Sequence, residues 1–92
     1  MNPYVKEVKP LADYQLELTF ENGKIRVFDL KPYLNRGVFA RLADIGKFKS
    51  AHVAADSVEW QGEIDLSYDT LYSESQPIEM AGMDGRRSQS KR

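Results

Sequence analysis
From Tyr14 to Leu30 the chain alternates between apolar and polar positions with a period of two. Tyr14, Leu16, Leu18 and Phe20 are interleaved with Gln15, Glu17, Thr19 and Glu21; beyond Asn22-Gly23, Ile25 and Val27 are interleaved with Lys24 and Arg26. This is the pattern of two half-buried antiparallel strands joined by a tight turn. A two-residue type I′ loop at Asn22-Gly23 sets Glu21 against Lys24, Phe20 against Ile25, Thr19 against Arg26 and Leu18 against Val27. All apolar pairs then share one face. Phe28 alone falls on the polar face in that register, opposite Glu17, and requires a helix or another segment to cover it. Positive φ at the turn suits glycine, so Gly23→Val is expected to damage folding and not a site.

The flanking pattern predicts the remaining elements. Tyr4 to Pro10 reads as a first strand, with Pro10 at its end or on a sheet edge, and Leu11-Ala12-Asp13 as the link into the hairpin. Asp29 to Leu34 reads as one helical turn, capped by Asp29 and with Pro32 in its first turn. Val38, Phe39, Leu42 and Ile45 stand at helical spacing between Gly37 and Gly46, predicting a short helix that must lie on the sheet and cover Phe28. Phe48 follows as an anchor, Ser50 to Ala54 as a fourth strand, Ala55-Asp56 as a turn, and Ser57 to Trp60 as a fifth strand. After a turn at Gln61-Gly62-Glu63, Asp65 to Tyr72 predicts a last helix, with Ser67 as N-cap, Asp69 near its positive start and Leu71 inward. The class is α+β: a small, mostly antiparallel sheet of about five strands with two or three short helices.

Composition narrows the picture. Ninety-two residues make one domain, expected over residues 1–79, and residues 80–92 are expected to be a disordered basic tail. There is no cysteine, which excludes disulfides and thiolate chemistry. No apolar run approaches the ~20 residues of a membrane-spanning helix and no signal-peptide core is evident, so a soluble, cytoplasmic protein is expected. Net charge is −1 but unevenly spread. Residues 24–49 hold seven lysines and arginines against Asp29 and Asp44, residues 50–85 hold eight acids and no lysine or arginine, and Arg86 to Arg92 carry four positive charges.

Val8-Lys9-Pro10-Leu11, Asp13-Tyr14-Gln15-Leu16, Phe20-Glu21-Asn22-Gly23 and Phe28-Asp29-Leu30 are joined later by Phe39, Leu42, Phe48 and Trp60, then Asp65-Leu66 and Asp69-Thr70-Leu71-Tyr72. Together they resemble the bacterial domain-of-unknown-function 2442 family, over roughly residues 4–72. The ending is the most specific part; Tyr68 stands where members commonly carry proline. The resemblance implies a small α+β domain and brings no activity, cofactor or catalytic residue. It also implies a genetic setting, since members are often encoded beside another small protein in arrangements resembling toxin–antitoxin pairs.

Candidate chemistry is sparse. His52 is the single histidine and has no recognisable nucleophile beside it. Glu59, Glu63, Asp65 and Asp69 match no spaced metal motif, and the glycines form no phosphate loop. No metal, cofactor or enzymatic role is therefore expected. The chain reads as a non-enzymatic interaction module, the neutralising partner of a small basic protein. It would dock through Glu59, Glu63, Asp65 and Asp69, with Trp60 or Tyr72 as apolar anchor. The alternative is a nucleic-acid-binding regulator using Arg26, Arg36, Arg41, Lys47 and Lys49. An open sheet edge would also allow a homodimer.

Overall fold
The hairpin is present, with its register moved by one residue from the expected one. In the computed structural model, which describes residues 2–78, the loop holds three residues, Glu21-Asn22-Gly23. The Gly23 amide donates to Phe20 O (2.9 Å) and the Phe20 amide to Lys24 O (2.9 Å). Only Gly23 takes positive φ there (85°), and Asn22 Oδ1 accepts from the Lys24 amide (3.0 Å). This is a turn followed by a left-handed glycine, the usual three-residue hairpin connection. Thr19 consequently faces Ile25, Leu18 faces Arg26, Glu17 faces Val27 and Leu16 faces Phe28.

The parity of the return strand explains the correction. Phe28 and Leu30 are two apart, so they share a face, and both are buried. Placing them inward turns Ile25 (39% exposed) and half-buried Val27 outward, and brings Arg26 to the inner side. Burying a phenylalanine and a leucine is worth about 1.5–3 kcal/mol each. That outweighs two β-branched residues left partly covered. Phe28 therefore does not break the pattern; it sets it.

Along the chain run β1 (Val5–Leu11), β2 (Gln15–Phe20), β3 (Ile25–Asp29), α1 (Ile45–Phe48), β4 (His52–Ala54), β5 (Ser57–Trp60), β6 (Ile64–Leu66), α2 (Tyr68–Glu74) and β7 (Gln76–Pro77). Short 3-10 turns occupy Ala12–Tyr14, Lys31–Tyr33 and Gly37–Ala43. The α+β class holds, and the strands, all antiparallel to their neighbours, divide into two sheets ordered β1-β2-β3-β7 and β4-β5-β6. The sheets meet where β1 runs beside β4 and the Val5 amide donates to Asp56 O (3.0 Å). One core serves both, built around Phe20, Phe28, Phe48 and Trp60, none more than 1% exposed.

Three further differences have local causes. The helix expected from Val38 to Asp44 is a 3-10 segment in which Phe39 and Leu42, three apart, eclipse on the inward side. It ends because Asp44 turns extended and caps α1, its carboxylate accepting from the Lys47 amide (3.0 Å). Tyr33 packs against Phe28 (centroids 5.7 Å), and Phe39 packs on the Tyr33 ring in turn (5.4 Å). Asp65-Leu66, expected in the last helix, belong to β6 instead: Ile64 and Leu66 are both buried while Asp65 is exposed, a period of two. Helix α2 then starts at Ser67, whose hydroxyl accepts from the Thr70 amide (3.3 Å) as expected. The tail expected to be disordered lies outside the described residues.

Edge strand β1 is guarded against pairing with another chain. It carries Lys6 at an irregularity between Val5 and Glu7, then Lys9, then Pro10, which lacks an amide. Charge, bulge and proline are the usual devices that blunt an open edge.

The type I′ turn expected at Asn22-Gly23 occurs instead at Ala55-Asp56, where both residues take positive φ (51° and 68°) between paired Ala54 and Ser57. A left-handed alanine costs roughly 1–2 kcal/mol. Ala55→Gly should therefore raise the urea midpoint, by about 1 kcal/mol of stability. Gly23→Val should lower it by about 1–2 kcal/mol. That cost is conformational, since a Cβ there meets nothing within 4 Å. Equal midpoints for Ala55→Gly and wild type would contradict the turn assignment.

Candidate interaction faces
The small sheet alternates cleanly between core and solvent. In β5, Val58 and Trp60 are buried while Ser57 and Glu59 face out; in β6, Asp65 faces out between Ile64 and Leu66. Register then aligns three side chains across the outer face, His52 opposite Glu59 and Glu59 opposite Asp65. His52 Nε2 lies 3.8 Å from Glu59 Oε1, and its Nδ1 lies 2.9 Å from Ser50 O. Asp65 forms no ion pair among the described residues. Beside the row lies a shallow depression of about 230 Å³ whose lining includes Ser57, Glu59, Asp65 and Ser67 and no basic residue.

The other acidic candidates are placed differently. Glu63 is exposed in the β5–β6 loop at φ 63°, next to Gly62, where an added Cβ would lie 4.0 Å from an Arg41 terminal nitrogen. Asp69 lies in the first turn of α2 and accepts from Asn2 Nδ2 (3.2 Å). Trp60 is 1% exposed, and its indole N–H donates to Phe48 O (3.1 Å), so it offers a partner no surface. Tyr72 is half-buried on the other side of α2, edge-on to Phe20 (4.9 Å).

The basic candidates also divide. Arg26 is drawn inward: Nε donates to Ser75 Oγ (2.7 Å), Nη2 donates to Ser75 O (2.6 Å), and the guanidinium lies 4.5 Å from the Tyr72 ring centroid. It thereby ties β3 to the C-terminus of α2, where a cation complements the helix dipole. Arg36 covers the Tyr33 ring at 4.9 Å, Arg41 and Lys49 are exposed, and Lys47 is half-buried.

Sequence reasoning missed the polar ties between distant segments. Lys31 Nζ donates to Asp13 O (3.0 Å) and Asp13 Oδ2 (3.1 Å), and lies 3.1 Å from Asp29 Oδ1. It holds the β1–β2 corner, where Asp13 and Tyr14 both take positive φ (63° and 59°). The hydrogen bond to Asp13, then that to Asp29, raises the Lys31 pKa above its ordinary 10.5. The Tyr33 hydroxyl donates to Glu74 (2.6 Å); burial first, and then this bond, raises its pKa. Aspartate at a corner was the only readable signal, since Asx residues tolerate left-handed backbone.

A small antiparallel α+β domain with one acidic strand face is the class this arrangement defines. The sequence model of the family described as protein of unknown function (DUF2442) matches residues 5–77, and the chain belongs to that family. No curated protein and no solved structure matches the chain. No helix among the described residues is long and apolar enough to cross a membrane. The described residues also hold no cluster of three or more metal-ligating side chains.

Because the Lys31 pKa is raised on folding, the stabilisation it gives is complete below 10.5 and is lost as pH rises through the folded value. The side chain is 41% exposed, so solvent screening limits the effect to about 0.5 kcal/mol. Urea titrations should show Lys31→Met less stable than wild type by that amount at pH 7 and level with it once Lys31 is neutral. A gap that persists unchanged at high pH would contradict the ionic tie.

Proposed function
We propose that this domain is a non-enzymatic protein-interaction module, and that the outer face of its small sheet receives a small basic protein, which it neutralises. The observation that supports this most is the pairing of Glu59 with Asp65. Like charges directly opposite on adjacent strands cost a sheet roughly 0.2–1 kcal/mol. The domain bears that cost on an accessible face, and a cationic partner would remove it. Glu63 is exposed in the loop joining the same two strands, with Arg41 beside that loop. Acid-on-base complementarity of this kind raises association rates and selects partners. The anchor role moves from Trp60 to the polar contacts themselves, because Trp60 belongs to the core.

The nucleic-acid reading retains Arg36, Arg41, Lys47 and Lys49 but gives up Arg26, whose guanidinium is spent on Ser75. No observation favours it over the acidic face.

Asp65→Lys separates function from folding. It converts the acid–acid pair into an opposite-charge pair, so the free domain should gain about 0.2–1 kcal/mol in urea titration. The same variant should lose, in a salt-sensitive manner, the small basic protein that wild type retains on capture from its own cells. Retention by Asp65→Lys equal to that by wild type would reject this face.

A further inference from the structure
On the other side of α2, a cavity of about 380 Å³ is lined by Gly23, Lys24, Ile25, Arg26, Tyr72, Pro77 and Ile78, with no acidic residue among them. Its volume lies in the range of small-ligand sites. Its chemistry is set by Arg26. The Nε–Nη2 edge of the guanidinium is consumed by Ser75, itself 5% exposed, and the plane lies by the Tyr72 ring. The second edge, Nη1 with the remaining Nη2 hydrogen, has no partner among the described residues, and Arg26 forms no ion pair among them. A guanidinium fixed along one edge presents the other as an oriented fork, the geometry that matches a carboxylate with two parallel hydrogen bonds. Lys24 adds a second positive charge, while Ile25 (39% exposed), Pro77 and Ile78 (37% exposed) supply an apolar wall.

We infer that this cavity binds a carboxylate carried on a compact apolar body, the carboxylate on the free edge of Arg26 and the body against Ile25, Pro77 and Ile78. A free short-chain acid and the C-terminus of a peptide with an apolar last residue both carry this chemistry. The site lies apart from the acidic face and does not depend on it.

The test is an amide-shift NMR titration of the full chain with hexanoate, with hexan-1-ol as the uncharged control. Acetyl-alanyl-leucine and its amide form a second pair, to distinguish the two sources. Hexanoate or the free-acid dipeptide should shift the amides of Gly23 to Arg26 and of Tyr72 saturably, with Kd on the order of 1 mM. Whichever acid binds at least tenfold more tightly identifies the source. Lys24→Ala, at an exposed position, should keep the fold and weaken binding several-fold. Arg26→Lys keeps the charge and removes the fork, and should weaken it at least tenfold. The inference is overturned by the absence of a saturable shift at roughly 20 mM, by equal shifts with the uncharged controls, or by undiminished binding in a folded Arg26→Lys chain. Binding that emerges only in Glu79→Gln would overturn it as well, because the chain's own carboxylate would then be the occupant.

Discussion
The structure depends on a constraint of parity. Side chains on a strand alternate, so β3 can bury the set containing Phe28 and Leu30 or the set containing Ile25 and Val27, but not both. The heavier set is buried, and the loop takes a third residue so that the chain can return in that register. Much else follows from this choice. Arg26 comes to the inner side, where it needs an acceptor and finds Ser75 at the end of α2. Ile25 is left outward beside it, and the cavity between β3, α2 and β7 arises from the same placement.

The same constraint shows why the sequence was readable in part. A hairpin around Asn22-Gly23 could be seen from alternation alone, as could the strand Ser57 to Trp60 and the capping of α2 by Ser67, because these are local signals. Register could not be seen so easily. Ile25 and Val27 imitate a clean pattern, and only Phe28 together with Leu30, just past the strand, decides against them. Asp65-Leu66 misled for a related reason: a three-residue strand and the start of a helix differ little in so short a stretch. The joining of the two sheets rests on β1 lying beside β4, across some fifty residues of sequence, and local pattern carries no trace of it.

The candidate faces were readable to a similar degree. Charge counting found the acidic segment, but it could not show that Glu59 and Asp65 would be set opposite each other while Asp69 was engaged by Asn2. Nor could it show that Arg26 would leave the basic set. Polar ties such as Lys31 to Asp13 and Arg26 to Ser75 join residues far apart in sequence and answer to no motif. They gather at the corners and rims of the sheets, where left-handed backbone and a helix end require polar partners. The acidic face and the cavity beside Arg26 are opposite in sign among the described residues and lie on different sheets. One domain of this size therefore presents an acidic strand face and a separate cationic cavity.

Cross-strand Hα–Hα nuclear Overhauser contacts test the parity constraint most directly, because only residues directly opposite in a non-hydrogen-bonded pair bring these protons together. The observed register predicts strong contacts between Thr19 and Ile25 and between Glu17 and Val27. Contacts between Phe20 and Ile25 and between Leu18 and Val27 would instead show a two-residue loop with Phe28 turned outward, and would contradict the account.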